Sequence, residues 1–143
     1  MKVIIVSGYF DPLHVGHIEC MQLAKRIGDK LVILLNSDKQ CELKKGKAFM
    51  FNEEKKRILQ ELRCVDEVFD SIDKDRSVCE SIKAIAEKYS DDEIIFAKGG
   101  DRFVEEIPET KLCREIGVEV VDGLGEKIQS SSNLTGLKEI KNG

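Results

Sequence analysis

The sequence predicts a doubly wound α/β fold, a single domain over residues 1–143 in which helices cover both faces of a five-stranded parallel sheet. Three continuous apolar runs, at residues 3–6, 31–35 and 94–97, show no alternation of polar and apolar positions. Such runs are typical of strands that are covered on both faces, as in a parallel sheet. Amphipathic helical stripes separate them, and this alternation of strand and helix favours right-handed crossover connections.

Each element follows from a local pattern. The run at residues 3–6 predicts the first strand, and Gly28 ends the helix that follows it. The second strand, at residues 31–35, precedes a helix that Asn52 is expected to cap with its side chain. The apolar positions that define this part of the chain are Cys20, Leu23, Ala24 and Ile27, then Ile58, Leu59 and Leu62, and in a third helix Val78, Ile82, Ile85, Ala86 and Tyr89.

The remaining elements are shorter. Apolar runs at residues 65–69 and 118–121 predict strands at the edges of the sheet. Pro108 is expected to open a helix after the strand at residues 94–97, because proline suits the first helical position, and Gly117 is expected to end it. A weaker helical pattern follows Ser132.

Composition excludes several classes of function. The 143 residues carry a net charge of −4, so a broad nucleic-acid-binding face is not expected. No apolar run approaches the roughly 18 residues that a membrane span needs, and the first run is too short for a signal peptide. Five cysteines without paired spacing favour reduced thiols over a disulfide framework. We expect a cytoplasmic protein with no nucleic-acid or membrane partner.

The segment after the first strand carries the strongest chemical signal. Ligands of doubly wound sheets bind at the carboxyl ends of strands, and Gly8 lets backbone approach a ligand closely there. His14 and His17 are the only histidines, and they lie three residues apart at a helix start near Val15, so they can face the same side. Two imidazoles beside the amide end of a helix can donate to phosphate oxygens. The alternative is that one ring caps the helix and the other fills a polar gap.

These residues resemble those of a known family. Residues 14–17 read His-Val-Gly-His, which is similar to the HxGH signature of the cytidylyltransferase-like nucleotidyltransferases, and residues 8–11 resemble that family's G-x-F-D segment. The resemblance implies a Rossmann-like fold. It assigns His14 and His17 to catalysis at the phosphates, and it assigns nucleotide binding to Gly8, Tyr9, Phe10, Asp11 and Gly16.

A second segment follows the strand at residues 94–97 and reads Lys98-Gly99-Gly100-Asp101. Its glycines permit close approach of a nucleotide, and Asp101 can accept hydrogen bonds from a ribose or base, or help to hold a metal. A surface turn with a helix cap is the alternative. The segment resembles one in bacterial heptose-phosphate adenylyltransferases, which implies that all four residues bind nucleotide.

A third segment contains Ser130, Ser131 and Ser132, which resemble the family's S-T-T segment. Hydroxyls that open a short helix can cap it and donate to a phosphate. The cytidylyltransferase branch has an arginine where this chain has Gly125, five residues before the first serine. Lys127 is expected to supply a nucleotide-binding charge in place of that arginine, although it lies two residues further along the chain.

Two lysines complete the expected site. Lys47, in a basic run after the second strand, aligns with a family lysine or arginine and is expected to reach triphosphate oxygens as a catalytic point charge, although a solvated charge run is the alternative. Lys55 stands where the family has a helix arginine, and it keeps the nucleotide-binding charge without the bidentate fork. Residues 36–38, Asn-Ser-Asp, also resemble a segment of the heptose enzymes.

The resemblance implies transfer of AMP from ATP to a sugar-phosphate-like acceptor with release of pyrophosphate. The alternatives are a CTP-dependent cytidylyltransferase acting on a polyol or amino-alcohol phosphate, and a non-catalytic adenine-nucleotide-binding regulatory module. Mg²⁺ is expected on triphosphate oxygens and water rather than in a protein metal site. The resemblance also implies a homodimer, and the acceptor is expected to meet loops at residues 49–51 and 73–76.

Overall fold

Five parallel strands form the sheet in the computed structural model, which describes residues 1–10, 14–46, 50–75, 77–97 and 108–121. Neighbouring strands are parallel throughout, in the order β3-β2-β1-β4-β5. The doubly wound α/β prediction is confirmed, and the two shorter runs form the edge strands as expected. The strands are β1 (Lys2–Gly8), β2 (Lys30–Leu35), β3 (Glu67–Asp70), β4 (Glu93–Ala97) and β5 (Glu119–Val121).

Five helices lie in the described ranges, and the sequence predicts four of them; α2 is the exception. They are α1 (Val15–Arg26), α2 (Asp38–Lys45), α3 (Asn52–Gln60), α4 (Cys79–Lys88) and α5 (Pro108–Ile116). Pro108 opens α5 and Gly117 follows it with φ of 80°, so both boundary residues act as predicted. The helix expected after Ser132 lies outside the described residues. None of the helices in the described ranges has the length and apolarity of a membrane span.

Both faces of the sheet are buried, because side chains alternate across each strand. Helices α1 and α3 cover one face, and α4 and α5 cover the other. Burial of an aliphatic side chain stabilises the fold by about 1.5–3 kcal/mol. Because both faces of the central strands are covered, every position in these strands gains from an apolar residue, and their apolar runs are uninterrupted. Fully buried residues that mark the two faces are Ile4, Met21 and Leu59 on one, and Ile5, Ile82 and Cys113 on the other.

Helix α2 is the element that hydrophobic periodicity does not predict. Among the α2 side chains that the structure describes, Gln40 and Cys41 are the buried ones, so no apolar stripe marks the helix. The residues at its two ends mark this helix instead. At the start, the hydroxyl of Ser37 accepts from the backbone N–H of Gln40 at 3.1 Å. At the end, Gly46 adopts a φ of 89°, a conformation that commonly terminates helices. The basic run at residues 44–47 was expected between the second strand and the helix that begins near Asn52, and the structure shows that it begins within the last turn of α2.

The predicted cap of α3 is wrong. Phe51 occupies the N-cap position without a side-chain capping bond, and Asn52 is the first helical residue. Asn52 Nδ2 donates to the backbone carbonyl of Asn36 at 2.9 Å, while the backbone N–H of Asn52 donates to Oδ1 of Asp38 at 2.9 Å. Asn52 therefore fastens the start of α3 to the segment after β2, and Asp38 satisfies an N–H that a helix leaves unpaired.

Gly28 lies close against β1. A β-carbon at this position would lie 2.4 Å from Cγ1 and 2.6 Å from Cδ1 of Ile4, which is fully buried. We expect Gly28→Ala to lower the free energy of unfolding by about 1–3 kcal/mol, because the added methyl overpacks the core. Urea unfolding measures this loss. Equal stability of Gly28→Ala and the wild type would contradict the packing argument.

None of the five cysteines, all of which lie in the described ranges, forms a disulfide bond, as the sequence predicts. Cys41 and Cys113 are buried, and the other three are half-buried. Burial raises the pKa of Cys113 to about 12, so its thiol stays protonated at neutral pH.

Candidate active site

The strand order reverses at the centre of the sheet. The chain runs outward from β1 to β2 and β3, then returns to form β4 and β5 on the other side of β1. Ligands of doubly wound sheets bind at this reversal of strand order. The segment at residues 8–10 leaves β1 at this edge, and the backbone N–H of Asn36, after β2, donates to the carbonyl of Gly8 at 3.0 Å.

The two histidines are stacked at the start of α1. Their ring centroids are 4.0 Å apart with an angle of 34° between the planes, which confirms that they face the same side. Each ring also caps the helix: Nδ1 of His14 accepts from the backbone N–H of Gly16 at 3.1 Å, and Nδ1 of His17 accepts from the backbone N–H of His14 at 3.2 Å. The capping alternative is therefore part of the structure, and it involves both rings.

The capping bonds fix the tautomer of both imidazoles. An Nδ1 atom that accepts a hydrogen bond carries no proton, so the ring proton of the neutral form lies on Nε2. Among the described residues neither Nε2 has a hydrogen-bond partner. His14 is exposed and His17 is half-buried, so both Nε2–H groups can donate to a ligand beside the amide end of α1.

Gly16 allows the first of these caps. A β-carbon there would lie 2.9 Å from Cε1 and 3.1 Å from Nδ1 of His14. A larger residue would push the His14 ring away from the N–H that it accepts. The glycine of the His-x-Gly-His pattern therefore provides room for an imidazole.

The ring of Phe10 packs against the imidazole of His17. Its side chain is 5% exposed, and its ring packs against His17 edge to face, with centroids 5.0 Å apart and planes at 81°. Gly8 provides the space on the other side, since a β-carbon there would lie 2.9 Å from Cζ of Phe10. The buried ring offers little surface for a nucleoside, which the resemblance had assigned to this residue.

His17 is neutral at pH 7. Burial and, secondarily, the charge of His14 lower the pKa of His17 from 6.5 to about 4. The unfolded state therefore binds a proton more readily, so the stability due to neutral His17 is complete above pH 6.5 and is lost as the pH falls toward 4. We expect His17→Gln to reduce the loss of stability between about pH 7.5 and pH 5, measured by urea unfolding at both values. Identical pH profiles for the variant and wild type would contradict this assignment.

Lys55 is fully buried, although its charge was expected at the phosphates. Its ammonium donates to the backbone carbonyl of Tyr9 at 2.9 Å. Burying a charge is unfavourable unless it is hydrogen-bonded, so this contact explains how the lysine is tolerated. Helix α3 thereby reaches the peptide bond that precedes Phe10.

A polar network that sequence reasoning did not find lies beside these residues. Gln40 is fully buried, and its Oε1 accepts from the backbone N–H of Ser37 at 2.9 Å and from Nδ2 of Asn36 at 3.2 Å. Its Nε2 donates to the carbonyls of Asp75 and Ser77 at 2.6 and 2.8 Å. The available signal was the Ser-x-x-Gln capping box, which predicts a helix start.

The loop at residues 73–76, expected near the acceptor, contributes a helix cap. Oδ2 of Asp73 accepts from the backbone N–H of Glu80 at 2.8 Å, and Oδ1 accepts from the N–H and hydroxyl of Ser81 at 2.9 and 2.6 Å. These bonds satisfy the first turn of α4, which has no side-chain cap of its own.

The remaining expected site residues lie outside the described ranges, as do Phe49 and Arg76 of the two loops, at residues 49–51 and 73–76, that were expected near the acceptor. Within the described ranges no three His, Cys, Asp or Glu side chains converge on a point that could hold a metal. Both imidazoles present Nε2–H groups, which suit an anion and not a bare cation. A Mg²⁺ ion would therefore be held mainly by the triphosphate oxygens and water. The site residues outside the described ranges are Asp11, Lys47, Lys98, Gly99, Gly100, Asp101, Lys127, Ser130, Ser131 and Ser132.

Comparison with known proteins agrees with this geometry. The family model described as Cytidylyltransferase-like matches residues 5–135, which is most of the chain. The chain belongs to this family. The resemblance found in the sequence is confirmed, and the family includes relatives that are named as nucleotidyltransferases.

Three relatives illustrate the range of the family. The bifunctional protein HldE of Streptomyces coelicolor is 35% identical over 123 residues, which cover 83% of this chain and 24% of that protein. The FAD synthase of Picrophilus torridus is 31% identical over 136 residues, or 92% of this chain and 91% of the relative. The glycerol-3-phosphate cytidylyltransferase of Bacillus subtilis is 44% identical over 68 residues, which cover 48% of this chain and 53% of that protein. The chain thus spans about a quarter of the HldE length.

A solved structure has a similar fold. The lipopolysaccharide core biosynthesis protein of Thermoplasma volcanium matches with a TM-score of 0.66 and 23% identity, covering 85% of this chain and 95% of that one. At this identity the match concerns the fold, and it agrees with the Rossmann-like sheet described above.

Proposed function

We propose that the protein transfers AMP from ATP to a sugar-phosphate-like acceptor and releases pyrophosphate. The observation that carries this proposal is the stacked histidine pair, in which both Nδ1 atoms are held by backbone N–H groups and both Nε2–H groups remain to donate. Two fixed donors beside a helix amide end suit a polyphosphate better than a neutral ligand.

The reaction is an in-line displacement at phosphorus. An oxygen of the acceptor phosphate attacks the α-phosphorus of the triphosphate, the bond to the β-phosphate oxygen breaks, and pyrophosphate leaves with the electron pair. The acceptor is already an anion, so the protein needs no nucleophile of its own, and positioning and charge stabilisation do most of the work. Each well-placed donor of this kind is worth about 10²–10³-fold in rate.

Neutral His17 fits this role. Protonation at Nδ1 would break the bond to the backbone N–H of His14, so the lowered pKa keeps this cap at neutral pH, while the neutral ring retains its Nε2–H as a donor. Mg²⁺ would supply further charge neutralisation at the triphosphate oxygens. We propose that Lys47, Lys127 and Ser130–Ser132 add positive potential and hydrogen bonds, and that the backbone at residues 8–10 with residues 98–101 holds the nucleoside.

Two findings support ATP and a sugar phosphate. HldE proteins are similar over most of this chain, and Lys98-Gly99-Gly100-Asp101 resembles the segment of heptose-phosphate adenylyltransferases. Gly125 stands where the cytidylyltransferase branch has an arginine. A second candidate is CTP-dependent transfer to a polyol phosphate, which the 44% identity to a glycerol-3-phosphate cytidylyltransferase favours.

A pyrophosphate-release screen tests the proposal. ATP, CTP, GTP and UTP are each combined with sugar 1-phosphates, glycerol 3-phosphate and FMN, the last because an FAD synthase is similar along nearly its whole length. We expect turnover with ATP and a sugar 1-phosphate. Turnover with CTP and glycerol 3-phosphate would establish the second candidate, and turnover with ATP and FMN would keep adenylyl transfer but replace the acceptor. Nucleotide binding without pyrophosphate from any pair would overturn the enzymatic proposal in favour of a regulatory module.

We also propose a homodimer in the cytoplasm, on the strength of the family resemblance. Light scattering coupled to size-exclusion chromatography distinguishes a dimer from a monomer. A single species of monomer mass at micromolar concentration would contradict the proposed assembly.

A further inference from the structure

We propose that Phe10 is a positioning residue whose buried ring sets the orientation of the His17 imidazole, and that Lys55 holds Phe10 in the backbone conformation this requires. The proposal rests on the proposed function for its catalytic consequence. Its structural content, a fixed imidazole in the free protein, stands without it.

The backbone of Phe10 is the first observation. With φ of 50°, it is the one non-glycine residue of the described ranges in the left-handed region. Bulky residues rarely adopt this conformation, and they keep it only where surrounding contacts over-determine it. The conformation therefore needs a cause, and the contacts of Phe10 supply it.

The ring of Phe10 is held from two sides. It sits over Gly8, where a β-carbon would lie 2.9 Å from Cζ and 3.2 Å from both Cε atoms. It meets the His17 ring at 81°, an edge-to-face arrangement that aromatic pairs prefer. With His14 stacked 4.0 Å away, the His17 ring is bounded by two rings and tied at Nδ1, so its side-chain torsions have little freedom.

Lys55 acts on the peptide bond between Tyr9 and Phe10. Its ammonium donates to the carbonyl of Tyr9 at 2.9 Å, and rotation of that peptide would break the hydrogen bond that the described residues provide to this buried cation. A charge-assisted bond to a backbone carbonyl is stronger than a neutral one. The bond from Lys55 thus stabilises the turn that carries Phe10, and through it the His17 ring.

The first test compares Phe10→Leu with Phe96→Leu. Phe96 is a matched control, because it is 2% exposed and belongs to the core cluster on the opposite face of the sheet. Nitrogen chemical shifts of the imidazoles report the tautomer, and they are recorded without nucleotide at about pH 8, above the ordinary imidazole pKa. We expect one tautomer, Nε2–H, for His17 in the wild type and in Phe96→Leu, and averaged shifts in Phe10→Leu.

Steady-state kinetics supply the second readout. We expect Phe10→Leu to lower kcat about 10–100-fold with little change in the KM for nucleotide, since a misplaced donor weakens the transition state more than binding. Phe96→Leu should leave kcat unchanged. A single Nε2–H tautomer and wild-type kcat in Phe10→Leu would overturn the proposal.

The role of Lys55 is tested with Lys55→Met and Lys56→Met. Both remove an ammonium from α3, but Lys56 is only half-buried and pairs with Asp70 at 2.8 Å. We expect Lys55→Met to lower kcat and to give averaged His17 shifts, and Lys56→Met to do neither. A raised KM for nucleotide with the His17 tautomer intact would show that Lys55 binds phosphate and does not position Phe10.

The two readouts separate this inference from the proposed function. If the free wild-type protein shows a single His17 tautomer that Phe10→Leu and Lys55→Met abolish, while no pair of substrates yields pyrophosphate, then the positioning stands and the function falls. If pyrophosphate is released but both variants retain the fixed tautomer, the function stands and the positioning falls.

Discussion

The double variant His14→Ser with His17→Gln is expected to remain folded while kcat falls at least about 10²–10³-fold. The pair Ser-x-x-Gln already starts α2, where Ser37 accepts from the N–H of Gln40 and Gln40 accepts from the N–H of Ser37. Transferring it to α1 replaces both caps, removes the Nε2–H donor of His14, and replaces the ring N–H of His17 with a glutamine amide on a flexible chain that does not hold its N–H in a fixed position. The melting temperature reports the first effect, and pyrophosphate release reports the second.

The single variant His17→Ala is the informative comparison. It removes the donor and also leaves the N–H of His14 without its cap, so we expect no turnover and a loss of about 0.5–2 kcal/mol in stability. If the double variant kept wild-type turnover, the histidines would be helix caps only and the proposed mechanism would fall. If it unfolded, imidazoles would be needed for the fold itself, and its low activity would not support a catalytic role.

Substitution of Gln40 by leucine is expected to reduce the free energy of unfolding by about 3 kcal/mol. Leucine has a similar volume but makes no hydrogen bonds, so two donors and two backbone carbonyls in a buried site lose their partner. Urea unfolding gives the magnitude. Gln22→Leu on the exposed surface of α1 is the matched control, and we expect it to change stability by less than about 0.5 kcal/mol.

Gln40→Glu separates the two halves of the network. One carboxylate oxygen can still accept from Ser37 and Asn36, but the other would face the carbonyls of Asp75 and Ser77, which need a donor. We expect a loss similar to that of leucine at pH 7 and a smaller one at lower pH, where a protonated carboxyl donates. Hydrogen exchange at residues 71–77 should increase in both variants. Slow exchange there, with full stability, would contradict the idea that Gln40 anchors this loop.

The sheet could be predicted from the sequence because its signal is local. Each central strand is a run such as residues 31–35 in which every side chain must be apolar, and each of the four predicted helices shows a stripe at helical spacing. Helix α2 lacks this stripe, and its boundaries were marked only by Ser37, Gln40 and Gly46. Periodicity reports burial of a face, so a helix with two buried side chains escapes it.

The site was predicted in part, for a similar reason. The spacing of His14 and His17 fixes their common side, because both lie in one helical turn. Burial of Lys55 and the contact of Asn52 with Asn36 depend on how α3 packs against the ends of β1 and β2, across 46 and 16 residues of sequence. No local pattern encodes such contacts, so a lysine that stabilises a turn and a lysine that binds phosphate look alike in the sequence.

The central position of β1 has a consequence during synthesis of the protein. Strand β1 is synthesised before the other strands of this sheet and pairs with β2 soon afterwards, but its other edge pairs with β4, where Lys2 lies opposite Glu93 and Val6 lies opposite Ala97. Until residues 93–97 emerge, the nascent chain exposes an unpaired apolar strand, and contacts of such long sequence separation form slowly. The chain is thus most exposed to self-association, and most dependent on holding chaperones, between the emergence of β2 and that of β4.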